Sequence, residues 1–241
     1  TWDIPLWRCA PSPFSLIATR CGKGDDALTA GRPLFGVPGL GRASTVVRAQ
    51  HAPQGMPDIG GPAATPTVPR FEELAAPSHW RTVDFISDLH LQAGEPATVA
   101  AWQHYLQTTT ADALFILGDL FEVWVGDDAL HETGSFEAQG CAALRAAAQR
   151  LPVYFMHGNR DFLAGPAFLA HCGITGLADP TLLVFGGERF VLSHGDLLCL
   201  DDVDYQRFRV QARSAAWQQR FLAQPLAVRR AQARGIRQES E

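Results

Sequence analysis

The chain has 241 residues, 46% of them hydrophobic, 19% charged and 10% aromatic, which is enough apolar material to bury a core and rules out a chain unfolded along its whole length. A formal net charge of -5 and a pI near 5.9 leave no global basic field, which argues against nucleic acid as a partner. Five scattered cysteines (Cys9, Cys21, Cys141, Cys172 and Cys199) form no Cys-x-x-Cys pair and read as reduced thiols, and no apolar run reaches the roughly 18 residues of a membrane-spanning helix.

Residues 1–80 hold 11 of the 16 prolines and 9 of the 22 glycines and sustain no helical or strand period. They read as a Pro/Gly-rich, mostly disordered extension. The first methionine is Met56, a candidate start of translation that would make residues 1–55 upstream sequence.

From Arg81 the pattern changes. Four apolar runs rich in β-branched and aromatic residues each stop at a polar cluster. They are Val83–Ile86 before Ser87-Asp88-Leu89-His90, Ala113–Leu117 before Gly118-Asp119, Val153–Met156 before His157-Gly158-Asn159-Arg160-Asp161, and Phe190–Leu192 before Ser193-His194-Gly195-Asp196. Runs of this kind, interrupted only by Asp84, predict strands buried on both faces. The intervals from Asp88 to Asp119, Asn159 and His194 are 31, 40 and 35 residues in turn, each long enough for a helical crossover. Pro96 opens one predicted helix, with Val99, Trp102 and Leu106 inward. Ser135 caps a second, with Cys141, Leu144 and Ala148 inward. The result is an α/β layered fold with a largely parallel sheet, whose post-strand loops gather at one edge.

Those loops bring together Asp88, His90, Asp119, Asn159 and His194. Carboxylate, amide oxygen and imidazole suit Mn²⁺, Fe²⁺ or Zn²⁺ better than they suit a thiolate site. A carboxylate can bridge two cations, so Asp119 can sit between one held by Asp88 and His90 and another held by Asn159 and His194. Paired cations about 3.5 to 4 Å apart, with a guanidinium nearby, are a common device for hydrolysing phosphoesters. Each tripeptide is weak alone; four in order, each just after a strand pattern, are not.

Asp88-Leu89-His90, Gly118-Asp119-Leu120-Phe121-Glu122, Gly158-Asn159-Arg160-Asp161 and His194-Gly195-Asp196 resemble the first four blocks of the calcineurin-like metallophosphoesterases. The longer strings, through Val123-Trp124-Val125-Gly126-Asp127-Asp128 and Leu197-Leu198-Cys199-Leu200-Asp201-Asp202, resemble the UDP-2,3-diacylglucosamine hydrolase family of lipid A biosynthesis over residues 81–241. The resemblance implies a metallophosphoesterase core at 81–204 and a partial Arg-rich helical cap at 205–241. It implies a hydrolase, usually with two Mn²⁺, that cleaves UDP-2,3-diacylglucosamine to UMP and 2,3-diacylglucosamine 1-phosphate. It also implies a cytoplasmic protein peripheral to the inner membrane. Asp88, His90, Asp119, Asn159 and His194 become the metal ligands, with Asp119, Asn159, Arg160 and His194 the catalytic group. Asn159 and Arg160 meet the substrate phosphates, and Asp202 meets the head group.

The family's Gly-His-x-His block has no counterpart here. The expectation is a truncated piece with weakened metal affinity and little turnover. Two alternatives stay open: a phosphoesterase acting on a soluble nucleotide or phosphoprotein, and an inactive binder of lipid surfaces. His157 reads as a hydrogen-bonded core histidine, His104 and His171 as surface or packing residues, and Cys199 as a small buried hydrophobe. Asp127 and Asp128 read as a solvated turn or helix start, and Glu122 either orients a ligand or caps a turn. The segment from residue 205 carries Arg207, Arg209, Arg213, Arg220, Arg229, Arg230, Arg234 and Arg237, with Trp217, Phe221 and Leu222 on one face. It is either a solvated helix with an apolar stripe or a basic cap set against anionic lipid.

Overall fold

This computed structural model describes residues 19–22 and 71–240. The expectation of disorder for residues 1–18 and 23–70 lies outside the described residues.

The first sheet has five strands: β1 (Thr19–Gly22), β3 (Thr82–Ile86), β4 (Ala113–Leu117), β5 (Val153–Met156) and β6 (Thr175–Leu177), side by side in that order. The second has three, in the order β2 (Glu72–Ala75), β7 (Thr181–Phe185) and β8 (Glu188–Leu192). From β3 to β6 all neighbours are parallel. The crossovers are α1 (Pro96–Thr108), α2 (Phe136–Ala148) and α3 (Pro166–Cys172).

Strand periodicity explains the layering. Along β4 successive side chains point to opposite faces. Leu114 and Ile116 join Trp102, Leu106, Cys141, Leu144 and Phe168 in a helix-side core. Ala113 and Phe115 join Leu183, Phe185 and Leu192 in a core between the two sheets. With both faces covered, β4 reads as an unbroken apolar run. Helix starts follow local chemistry: Pro96 opens α1, and the Ser135 hydroxyl accepts from Ala138 N, 3.1 Å away, to cap α2. In α1 and α2 Trp102, Leu106, Cys141 and Leu144 are fully buried as expected, while Val99 and Ala148 are only partly so.

Two expectations need correction. The ordered unit starts before Arg81: β2 pairs in parallel with β7, and Trp80 is buried against Phe115 and Tyr154. The Phe190–Leu192 run is not a strand of the parallel sheet; it belongs to β8, antiparallel to β7 at the edge of the second sheet. Val191 is 64% exposed there, because an edge strand with one covered face buries only alternate residues.

After β8 come α4 (Val203–Ala212), α5 (Ala215–Leu222) and α6 (Leu226–Ser240). Trp217 and Phe221 stack at 4.8 Å and pack on the helix-side core, whereas Leu222 is exposed. Among the described residues no helix is long and apolar enough to cross a membrane.

Candidate metal centre

Three of the ligand loops leave the carboxyl ends of β3, β4 and β5, and the fourth leaves β8 of the second sheet. The meeting of the two sheets, not one sheet's edge, therefore assembles the site. Asp88, His90 and Asp119 have positive φ values of 54°, 47° and 52°, the only non-glycine residues among those described that do. Such backbone is costly and survives where surrounding bonds impose it. Here Asp88 N donates to Gly118 O at 3.1 Å, His90 N to Asp119 O at 3.0 Å and Leu91 N to Leu120 O at 2.9 Å. These bonds lock the first two loops together and turn their side chains into a common space.

Asp119 is the centre of that space and is almost fully buried. Its Oδ2 lies 3.7 Å from His90 Nε2, and its Oδ1 lies 3.8 Å from His194 Nε2. Oδ1 also accepts from Arg160 N at 2.8 Å. His194 Nδ1 donates to Leu117 O at 3.0 Å, which leaves Nε2 aimed at Asp119 and at Asn159 Oδ1, 3.0 Å away. The ligand atoms of Asp88, His90 and Asp119 all lie within 4.8 Å of one another. Thus all five predicted ligands converge, and the two oxygens of one carboxylate face two different groups of donors.

The electrostatics fit a cation-binding role. Burial, reinforced by the neighbouring Asp161 charge, pushes the Asp119 carboxyl up to about 6. Burial works against protonation of His90 and His194, yet both are raised: His90 by its bond to Glu122 and by Asp119, His194 by Asp119 and Asp88. Anionic and imidazole groups packed this closely are short of positive charge, which a divalent cation supplies while reversing these shifts.

Glu122 does what one of its two readings required. Its Oε2 lies 3.3 Å from His90 Nδ1 and its Oε1 lies 3.5 Å from Arg160 Nη1, so it orients the His90 imidazole and the guanidinium together. Arg160 Nε is buried without a hydrogen-bond partner. Asp202 is half-buried and caps α4, its Oδ1 accepting from Tyr205 N at 3.0 Å. His157 bonds the Ala164 carbonyl at 2.6 Å, as a core histidine should. Cys199 is exposed, not buried, because its 3-10 turn lies outside both cores. Asp127 and Asp128 do begin a short 3-10 helix (Asp127–His131), as expected of a helix start, but Asp127 is not simply solvated: its carboxylate accepts from Trp124 Nε1, Gly165 N and Phe168 N, anchoring the start of α3.

Sequence reasoning gave no role to Asp161, although it closes the Gly-Asn-Arg-Asp string. It is fully buried and accepts from Gly158 N at 2.8 Å, Leu120 N at 2.8 Å and Asp119 N at 3.3 Å, joining the second and third loops. Four of the cap arginines differ from both expectations, while Arg207 and Arg220 are exposed. Arg209 and Arg213 bind Asp196, Arg229 binds Asp128 and the Val125 carbonyl, and Arg230 binds Glu132 and Glu137. They face inward to acidic partners, and Arg229 is 1% exposed.

Two glycines are required by close approach. A Cβ at Gly118 would lie 2.6 Å from His194 Nδ1, and one at Gly158 would lie 2.0 Å from Asp119 Oδ1. The donor set of carboxylate and amide oxygens with imidazole nitrogens fits hard or borderline divalent cations. Asp88 and His90 can hold one, Asn159 and His194 another, with Asp119 common to both.

The sequence profile of the calcineurin-like phosphoesterases matches residues 81–233. A UDP-2,3-diacylglucosamine hydrolase of Chromobacterium violaceum is 49% identical over 166 residues, which cover 66% of this chain and 67% of that protein. Its namesake from Xanthomonas campestris pv. campestris is 49% identical over 163 residues (66% of this chain, 64% of that one). That from Xanthomonas axonopodis pv. citri is 48% identical over 164 residues (66% and 65%). The chain thus spans about two thirds of the length of these relatives.

Proposed function

The chain belongs to the calcineurin-like phosphoesterase family, and from that premise we propose that it is a metal-dependent hydrolase of the pyrophosphate bond in UDP-2,3-diacylglucosamine, as its relatives are named. The products are UMP and 2,3-diacylglucosamine 1-phosphate, an intermediate of lipid A biosynthesis. The observation that carries the reading is the division of Asp119, whose Oδ2 faces His90 and whose Oδ1 faces His194. A carboxylate divided in this way suits two cations, the arrangement used for phosphoester hydrolysis.

In this reading Asp88, His90 and Asp119 hold one Mn²⁺, and Asp119, Asn159 and His194 hold the other. Bound there, the cations neutralise phosphoryl oxygens and acidify water near neutral pH. The chain's own groups do the rest. Arg160 presents a planar fork of donors to the phosphate oxygens, steadied by Glu122. Asn159 contributes its amide to the same phosphates, and Asp202 accepts hydrogen bonds from the head group. A substrate with two acyl chains places the work at the cytoplasmic face of the inner membrane, with the protein bound peripherally.

The test is Mn²⁺ titration followed by assay. Mn²⁺ at 100 times its Kd should raise stability by about 2.7 kcal/mol. It should also raise UMP release from the lipid substrate, and chelator should reverse both. Hydrolysis of that lipid at an undiminished rate after exhaustive chelation would overturn the reading.

A further inference from the structure

Deepening the reading above, on which its catalytic meaning rests, we propose that Arg213 is a positioning residue. One guanidinium nitrogen on the cap ties the Asn159 loop to the His194 loop and so sets the spacing of those two ligands. Arg213 Nη2 carries two hydrogens and has two acceptors: Gly158 O at 3.0 Å and Asp196 Oδ2 at 3.1 Å. Gly158 immediately precedes Asn159, and Asp196 follows His194 by two residues. The two ligands themselves touch, His194 Nε2 lying 3.0 Å from Asn159 Oδ1.

Both anchors are held by further contacts. Asp196 is 6% exposed and also accepts from Arg209 Nε at 2.8 Å and from the Tyr205 hydroxyl. The Gly158 peptide is held through its N–H by Asp161 and has no room to recede, since Asp119 Oδ1 lies within 2.0 Å of where a Cβ would be. Arg213 is held in turn, its guanidinium 5.9 Å from the centre of the Phe162 ring. Arg209 shares the carboxylate, but its bond runs to Asp196 and not to Gly158. It is an internal control for an ordinary ion pair.

The placement in the fold gives the tether a use. Arg213 is the C-cap of α4, and Asp202 is its N-cap. A ten-residue helix is a rod about 15 Å long. One end carries the residue assigned above to the substrate head group, and the other sets the ligand loops. Docking at the head-group end and the geometry of the Asn159–His194 pair are therefore mechanically linked.

The experiment uses the full chain, first without metal. Amide hydrogen exchange is compared in Arg213→Ala, Arg209→Ala and the unsubstituted protein. Arg213→Ala should speed exchange at residues 158–160 and at 194–196 together, by about five- to tenfold, as for one lost hydrogen bond. Arg209→Ala should do so only at 194–196. Unchanged exchange at 158–160 in Arg213→Ala, or equal effects of the two variants there, overturns the tether. If Arg213→Ala does not fold, Arg213→Lys, which keeps the charge without the planar fork, is held to the same criterion. Mn²⁺ titration then separates the two readings. With the tether real, Arg213→Ala should weaken one Mn²⁺ step by about 10- to 100-fold and leave the other in place. If the unsubstituted protein binds no Mn²⁺, the metal reading fails while the exchange data still decide the tether.

Discussion

Replacing Gly158 with alanine adds one methyl group at the most confined point of the site. The new Cβ would lie 2.0 Å from Asp119 Oδ1, 2.4 Å from Asp119 N and 2.7 Å from Asp119 Cγ. The first contact falls about 1.4 Å short of ordinary van der Waals separation. Gly158 does not have a positive φ, so the cost is steric, with no backbone strain added. Relief by moving a flexible side-chain tip is closed off: the neighbours are a backbone amide and a carboxylate that accepts from Arg160 N. Overpacking of this kind costs about 1 to 3 kcal/mol. At about 2 to 4 °C per kcal/mol, that lowers the melting midpoint by roughly 2 to 12 °C. The displaced carboxylate is the one proposed to be shared between two cations, so Mn²⁺ affinity should fall by about 10- to 100-fold. Thermal unfolding by circular dichroism and Mn²⁺ isothermal titration measure the two effects. Gly94→Ala, where nothing lies within 4 Å of the added Cβ, is the control. A Gly158→Ala protein that melts and binds Mn²⁺ as the unsubstituted protein does would refute the account of the site as sterically closed around Asp119.

Asp161→Asn turns one of two accepting oxygens into a donor facing the backbone N–H groups of Gly158, Leu120 and Asp119. Urea unfolding should show a loss of about 1 to 3 kcal/mol, the cost of a buried group left unsatisfied, and an unaltered midpoint would contradict this. Arg229→Met leaves the Val125 carbonyl without its donor and Asp128 without its partner. Because Asp128 is half exposed, the loss should be about 2 kcal/mol, below the range for a fully buried pair, with melting as the measurement and no change as the refuting result. Asp112 accepts from Arg81 N at 2.6 Å and Thr82 N at 2.8 Å, and these bonds hold its carboxyl below the usual range. Its contribution to stability is thus present above the unfolded value near 3.9 and is lost as pH falls through the lower folded value. Asp112→Asn should lower stability at pH 7 and flatten its decline below about pH 4; equal slopes for both proteins would show that Asp112 does not contribute.

The three strands that carry Asp88, Asp119 and Asn159 were legible in the sequence because each is covered on both faces. A largely apolar run, interrupted only by the buried Asp84 of β3, followed by a polar turn is a local signal of a buried parallel strand. The helix starts at Pro96 and Ser135 were legible for the same reason, since capping chemistry involves residues within one turn of each other. The convergence of the five candidate ligands was legible because turn glycines and metal-donor residue types sit together in short strings. Other features had no local signature. Phe190–Leu192 is too short a run to show whether one face or two are covered, so only the fold could assign it to the second sheet. Asp161, Arg213 and Arg229 act on groups 41, 55 and 104 residues away. A sequence states the charge of such a residue but not its partner. Eight arginines against few acids in one segment suggested an outward surface, either solvated or set against lipid, whereas Asp196, Asp128, Glu132 and Glu137 draw half of them inward. Local patterns report on burial and on turns because those are set by neighbours along the chain. Pairing between distant polar groups is decided only once the packed layers determine which of them are close enough to meet.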